Sequence, residues 1–353
     1  MELIDLGYGP DFRQSFTALE RPDLCPARVV REDRGQLQVD DGAGPRRAEP
    51  LGRLRLDGQL AAPAVGDWVA LAAMTNGPSI IHAVLPRRSA FIRGRAGRRD
   101  SGQCVAANVD TLIIAMGLDG DENVRRLERY LVLANRSGAS PVVVLTKADR
   151  SDDPEAARLR AAAVAGDAPV HVICAPRDEG IDALRPHLGR GQTVALVGSS
   201  GAGKSTLVNH LLGEQRMATA AVRDSDDRGR HTTRHRQLFM LPGAAALIDT
   251  PGMRELQMWG DEDDLRGGFP EIEALAQGCR FGDCQHDREP SCAVRAALDS
   301  GELGAARFAS FVKLRAELRL HAERQSASAE HLSRRRGRRG SKIIRQAKRL
   351  KSR

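Results

Sequence analysis

The 353-residue sequence predicts a multidomain protein: an N-terminal β-barrel, a central α/β domain with a mostly parallel sheet, and a C-terminal helical region built around cysteines. Three observations carry this reading. Short alternating runs separated by turn signals fill the stretch from Cys25 to Pro86. Apolar runs then alternate with helical segments from Val109 to about Asp249. Finally, three cysteines and a histidine crowd between Cys279 and Cys292. A chain of this length has material for two or three cores.

In the first region Arg28-Val-Val30, Leu37-Gln-Val39, Asp67-Trp-Val-Ala-Leu71 and Ser79–Leu85 read as strands, and Asp40-Asp-Gly42, Pro63–Gly66 and Asn76-Gly-Pro78 as turns. About five short strands over 25–90 suit an OB-like barrel. Such barrels often grip RNA, yet Trp68 is the only tryptophan here and interleaved aromatics are missing, so a plain structural module is an equal reading. Residues 1–20 are polar and glycine-containing with no clear period, and 1–24 stand as an N-terminal extension. The basic, glycine-rich stretch from Pro86 to Arg99 reads as a linker able to touch phosphate.

The central domain, 98–258, has buried-strand candidates at Thr111–Ala115, Pro141–Leu145, Val170–Cys174, Thr193–Val197 and Ala244–Ile248, with helices near 123–136, 154–165, 180–188 and 204–212. Gly198-Ser199-Ser200-Gly201-Ala202-Gly203-Lys204-Ser205-Thr206 sits between the strand at 193–197 and the apolar run Leu207–Leu212, the strand–turn–helix context a P-loop requires. Its glycines let backbone N–H groups cradle phosphate oxygens at a helix N-terminus, where the dipole favours anions. Lys204 would reach the β- and γ-phosphates and the Ser205 hydroxyl would sit on Mg²⁺. Downstream, Asp249-Thr-Pro-Gly252 follows the next strand: Asp249 can hold Mg²⁺ through water and the Gly252 N–H can sense a γ-phosphate. Between them Gly229-Arg-His231-Thr-Thr233 offers hydroxyls, Thr233 first, for capping the metal when GTP is bound.

Upstream, Thr146-Lys147-Ala148-Asp149 ends another buried strand. A carboxylate at Asp149 accepts two hydrogen bonds from the guanine N1–H and N2–H₂ edge, which adenine does not offer. Lys147 would lie along the base. The usual motif opens with Asn; Thr146 stands there, so how the base loop is tied to the P-loop is open at this point. Cys174-Ala175 occupies the place of the short loop whose backbone N–H contacts the guanine oxygen. An ordinary GTPase has its P-loop first and its base motif last, whereas here 146–149 precedes 198–206. This order predicts a circularly permuted G domain, allowed where the old termini lie close together.

Beyond Gly260 comes the region 259–325. Cys279-x4-Cys284-x-His286-x5-Cys292 offers three thiolates and one imidazole, a closed tetrahedral set for one structural Zn²⁺. Cys25, Cys104 and Cys174 are scattered and read as packing positions, and the cysteine usage fits a reduced, cytoplasmic compartment. A helix near 302–324 carries Phe308, Phe311, Leu314 and Leu318 on one face as core. Charge is uneven: the chain is +8, but Leu332–Arg353 holds eleven Lys/Arg and no acid, and without that stretch the total would be −3. The tail, 326–353, therefore reads as a disordered, polyanion-seeking arm with nucleic acid as its partner. No stretch approaches the roughly 18 apolar residues of a membrane span.

Taken together, Val65-Gly-Asp-Trp-Val69, Leu85-Pro-Arg-Arg-Ser89, Gln103-Cys-Val-Ala-Ala-Asn-Val-Asp110, the permuted order, Gly229–Thr233, Asp249–Gly252 and the Cys/Cys/His/Cys spacing resemble the circularly permuted, ribosome small-subunit-dependent GTPases of bacteria (the RsgA, YjeQ or EngC family) over roughly 25–320. The resemblance implies an OB-fold, a permuted G domain and a zinc domain. It also implies a monomer acting late in 30S subunit maturation, binding 16S rRNA with GTP and leaving on hydrolysis to GDP. Residue by residue it assigns guanine to Thr146, Lys147 and Asp149, phosphates to Gly198 through Thr206, and zinc to Cys279, Cys284, His286 and Cys292. Met253 stands where many GTPases place a water-orienting Gln, and a thioether cannot orient water, so His231 is the candidate for that role. Two other classes share the P-loop: an ATPase or phosphotransferase with an RNA-binding appendage, which would dispense with Asp149, and an RNA-binding scaffold with a vestigial nucleotide site.

Overall fold

A computed structural model describes residues 1–52, 54, 61–94, 102–215, 235–249, 265, 267–320 and 322–323. The expected positions Gly229–Thr233, with His231 and Thr233, lie outside the described residues. So do Thr250–Met253, with Gly252, and the basic tail.

The chain opens with helix α1 (Pro10–Thr17), which has Pro10 at its first position. Five strands follow: β1 (Cys25–Asp33), β2 (Gln36–Asp40), β3 (Pro45–Pro50), β4 (Trp68–Ala72) and β5 (Ser79–Val84). They pair in the order β1-β2-β3-β5-β4, and β1 pairs again with β4, so the barrel closes and leaves no free edge among these strands. Strand β3, Pro-Arg-Arg-Ala-Glu-Pro, escapes a sequence reading because only Ala48 of its six residues is buried. The expected linker is a correction. Ala90–Gly94 forms β6 and pairs antiparallel with β7 (Gly102–Ala107), a two-stranded ribbon between barrel and central domain.

The central domain contributes β8 (Thr111–Gly117), β9 (Ser140–Thr146), β10 (Val170–Val172), β11 (Thr193–Val197), β12 (His235–Met240) and β13 (Ala246–Asp249). Their order is β10-β9-β8-β11-β13-β12, parallel except for β12. Every residue of β8 is buried, as a run of apolar side chains predicts for a parallel strand covered on both faces. Helix α2 (Val124–Ser137) is capped by Asn123, whose side chain accepts from Arg126 N, and ends at Gly138 with φ +85°. Helix α3 (Pro154–Ala165) is capped by Asp153, and α4 (Lys204–Leu212) grows directly from the P-loop. The segment expected as a helix near 180–188 is a 3₁₀ turn, Ile181–His187, with Pro186 inside it.

Barrel and central domain share one sheet, because β1 pairs antiparallel with β12 (Arg31 opposite Gln237, Asp33 opposite His235). The joint beside this pairing is polar and buried. Arg28, 1% exposed, donates from Nε to Gly66 O at 3.2 Å, from Nη1 to Leu6 O, and from Nη2 to Asn108 O at 3.3 Å and Thr193 Oγ1 at 2.8 Å. Burial lowers its pKa to about 10, still high enough to keep the guanidinium charged at neutral pH. Asp67, also buried, receives Arg87 in a bidentate pair at 2.8 and 2.7 Å. Gly66 has φ +95° and a Cβ there would stand 2.0 Å from Ala107 O, so only glycine fits. Asn108, in a left-handed conformation, donates to Gly66 O at 3.1 Å and accepts from Arg88 N at 2.9 Å.

Residues 1–24 are part of this joint. Leu6, Tyr8 and Phe12 bury against Trp68, with the Tyr8 and Phe12 rings 4.8 and 5.9 Å from it. Glu2 and Asp5 bind Arg190 on the turn before β11. Trp68 is fully buried, so it offers no face for stacking on a base.

After the central domain, α5 (Pro270–Ala276), α6 (Ala293–Ser300) and helical residues 305–320 pack together through Phe269, Leu314 and Leu318. They dock on α2: Arg307 donates to buried Glu128 at 2.8 Å and Ser310 to the other Glu128 oxygen. Such a buried pair, once broken, leaves a stranded charge, which fixes where this region sits.

Candidate functional site

Parallel pairing puts the C-terminal ends of β9, β8, β11 and β13 along one edge of the sheet, where α/β proteins hold their ligands. The P-loop leaves β11 at this edge. Gly198 has φ +144°, and a Cβ would come within 2.3 Å of Ala115 O on β8. Gly201 and Gly203 also have positive φ. The backbone thus turns in a shape that side chains would block, and within the loop Gly203 N donates to Gly201 O at 2.8 Å and Ala202 N to Ser199 O at 3.4 Å. Buried Lys204 donates from Nζ to Gly198 O at 2.9 Å and to Ser199 O, which folds its ammonium over the loop. Ser205 lies in the first turn of α4, and Asp249 is the last residue of β13, beside β11.

The base-motif residues lie beside this loop. The Thr146 hydroxyl, buried, reaches Ala202 O of the P-loop at 3.0 Å and Met116 O at 3.2 Å. Threonine therefore makes the tie that Asn makes in the usual motif, by a single hydroxyl on a backbone carbonyl. Lys147 adopts φ +59° and pairs with Asp119. The Ala148–Arg150 turn is held by Ala148 N donating to Ile173 O at 3.3 Å.

Asp149 accepts from the buried Cys174 thiol at 3.3 Å, so Cys174 is not the indifferent packing position expected from its scatter. That hydrogen bond holds the Asp149 carboxyl below the usual carboxylate range, with Arg177 and Arg150 adding in the same direction. Burial and the same bond push the Cys174 thiol up. The donor and acceptor are thus a protonated thiol and an ionised carboxylate, and the latter is the form that accepts two hydrogen bonds.

The cysteine region forms a second cluster. Cys279, Cys284, His286 and Cys292 place their ligand atoms within 4.8 Å of one another, and no described cysteine is in a disulfide. Cys279 Sγ lies 3.9 Å from Cys292 Sγ, and the two sulfurs lie 3.7 and 3.5 Å from His286 Nδ1. Tetrahedral bonds of about 2.3 Å to sulfur and about 2.0 Å to nitrogen give edges of about 3.8 and about 3.5 Å. The donor set and its spacing fit Zn²⁺ with no position left open.

The strand order carries a definite history. The P-loop strand β11 is central, yet β8, β9 and β10 precede it in the chain. Fold and edge together define a P-loop GTPase of circularly permuted order. The comparisons agree. The model of the RsgA GTPase family matches residues 84–259. A small ribosomal subunit biogenesis GTPase RsgA from Opitutus terrae is 48% identical over 329 residues, covering 90% of each chain. One from Xanthomonas euvesicatoria pv. vesicatoria is 49% identical over 323 residues, covering 90% of this chain and 87% of its own. The crystal structure of YjeQ from Thermotoga maritima superposes with a TM-score of 0.64 at 26% identity, over 84% of this chain and 98% of that one. YloQ, a circularly permuted GTPase, shares the fold at a TM-score of 0.59 and 22% identity, over 84% and 96% of the two chains. The chain is a GTPase of the RsgA family.

Sequence reasoning missed Asp119 and Asp121, which contact both nucleotide-facing loops, because neither belongs to a recognisable motif. For Asp149, the thiol contact leads to a titration. Replacing Cys174 with Ala removes the largest influence lowering the carboxyl pKa, so that pKa should rise toward the ordinary aspartate value. A pH titration of the Asp149 carboxyl by NMR checks this, and an unmoved value would show that the thiol does not matter.

Proposed function

We propose that this protein hydrolyses GTP during assembly of the small ribosomal subunit, the role named for its relatives from Opitutus terrae and Xanthomonas euvesicatoria. The observation that supports the guanine assignment is the Thr146–Ala202 contact, which brings the base motif against the P-loop. Asp149 reads the guanine N1–H and N2–H₂ edge, Lys147 and Ala148 flank the base, and Thr146 locks the two loops. Gly198, Ser199, Ser200, Gly201, Ala202 and Gly203 cradle the phosphates with backbone amides. Lys204 releases its carbonyl partners to meet β- and γ-oxygens, and Thr206 continues the amide row into α4.

Ser205 and Thr233 are the proposed hydroxyl ligands of Mg²⁺, and Asp249 would hold the ion through water. When bound, the ion neutralises charge building between the β- and γ-phosphates. Gly252 is the proposed γ-phosphate sensor and His231 the proposed group orienting the attacking water. The zinc cluster is structural, since four protein ligands leave no position for substrate. The barrel, the zinc region and the basic tail are the proposed contacts with 16S rRNA, and the protein works as a cytoplasmic monomer. Among the described residues no helix is long and apolar enough to cross a membrane. The proposed divisions are 1–24, 25–90, 98–258, 259–325 and 326–353.

Turnover assays test the reading. GTP and not ATP should be hydrolysed, small subunits should accelerate the reaction, and Lys204→Ala should lower turnover by at least about a hundredfold. Equal ATP turnover would favour the ATPase alternative. Elemental analysis should give about one zinc per chain. Cys284→Ser should lose that metal and unfold the C-terminal region at lower temperature, whereas metal-free protein with an unchanged melt would remove zinc from the account.

A further inference from the structure

Residues 118–123, between β8 and α2, belong to none of the nucleotide motifs, yet they touch both loops that those motifs form. Asp121 accepts a hydrogen bond from the Ser199 hydroxyl of the P-loop. Asp119 pairs with Lys147 of the base loop. The segment is itself firmly held. Arg126, within the first turn of α2, donates from Nη2 to the Asp121 backbone carbonyl and to Oδ1 at 2.7 Å. Asn123 caps α2, and Glu122 receives Arg160 of α3 through two bonds of 2.9 Å.

The chemistry of a phosphate cradle explains why such an anchor matters. Phosphate is met by backbone amides, so the Ser199 side chain is free to point elsewhere, and it points at Asp121. The loop it belongs to is rich in positive-φ glycines, Gly198, Gly201 and Gly203, which allow the needed shape but do not enforce it. A loop that is not held in its binding shape must be ordered by the ligand, and that ordering subtracts from affinity. A carboxylate near a triphosphate would ordinarily oppose binding, but Arg126 offsets the Asp121 charge.

We propose that Asp121 is a positioning residue for the nucleotide site: through Ser199, and braced by Arg126, it holds the phosphate loop in its binding shape. The inference rests on the guanine-nucleotide reading of this edge. It predicts that loss of the anchor raises Kd and KM far more than it lowers kcat, because Lys204 and the backbone amides remain.

A double-mutant cycle on GDP affinity tests it, using Ser199→Ala, Asp121→Ala and the double variant in the full chain. Each single change should weaken GDP by about tenfold, the scale of one charge-assisted hydrogen bond, and the double should be no weaker than either single. The melting temperature of nucleotide-free Ser199→Ala should match the parent. Multiplicative losses in the double, or unchanged affinity in Ser199→Ala, would overturn the proposal. Ser199→Ala removes one hydroxyl only and decides the matter alone should Asp121→Ala not fold. Failure of the parent itself to bind GDP would instead defeat the nucleotide reading on which the proposal stands.

Discussion

Strand β8 lies hydrogen-bonded between β9 and β11, parallel to both and buried at all seven positions. That placement is the constraint from which the site follows. Two parallel strands flanking a third must deliver their C-terminal loops to the same edge, whatever their order in the chain. The base loop leaves β9 and the phosphate loop leaves β11, so they meet across the end of β8, where the Thr146 hydroxyl joins them. Permutation changes which loops are covalently continuous and leaves the packed sheet as it was. Helix α2, which begins beside the phosphate loop, meets the C-terminal region through Glu128 and Arg307.

The joint between barrel and central domain is of a different kind. It contains a buried guanidinium whose partners are three backbone carbonyls and a hydroxyl, with a buried Asp67–Arg87 pair nearby. Charged groups in such a place are costly unless every donor is met, and here the geometry of several segments is dictated by meeting them. Val65–Val69, Leu85–Ser89 and Gln103–Asp110 all converge on this joint. Three stretches that carry the family resemblance thus supply the contacts of the joint between barrel and central domain.

Much of this was legible because the governing interactions are local. The P-loop announces itself by glycine spacing between an apolar strand and an apolar helix, and the Cys/His cluster by four candidate metal ligands within fourteen residues. Helices α3 and α4 lie at the expected 154–165 and 204–212, the first capped by Asp153 and the second starting directly after the P-loop glycines. What stayed illegible depends on distant partners. Strand β3 buries only Ala48 and exists because β2 and β5 flank it. Strand β6 reads as a basic linker until β7 pairs with it. Residues 1–24 have no period because their role is to cover Trp68 and meet Arg28 and Arg190. Cys174 beside Asp149 and Asp121 beside Ser199 are contacts between residues 25 and 78 positions apart, which spacing does not reveal.

The central claim is that the Asp149 carboxylate, in the turn just after β9, reads the base of the nucleotide cradled after β11. Competition between GTP and xanthosine triphosphate for Asp149→Asn tests it most directly. Xanthine carries a carbonyl where guanine carries the 2-amino group, so an amide that donates should favour it. The account predicts that the variant reverses the parent's preference and binds the xanthine nucleotide more tightly than GTP. A variant that still preferred GTP as strongly as the parent would show that Asp149 does not face the base.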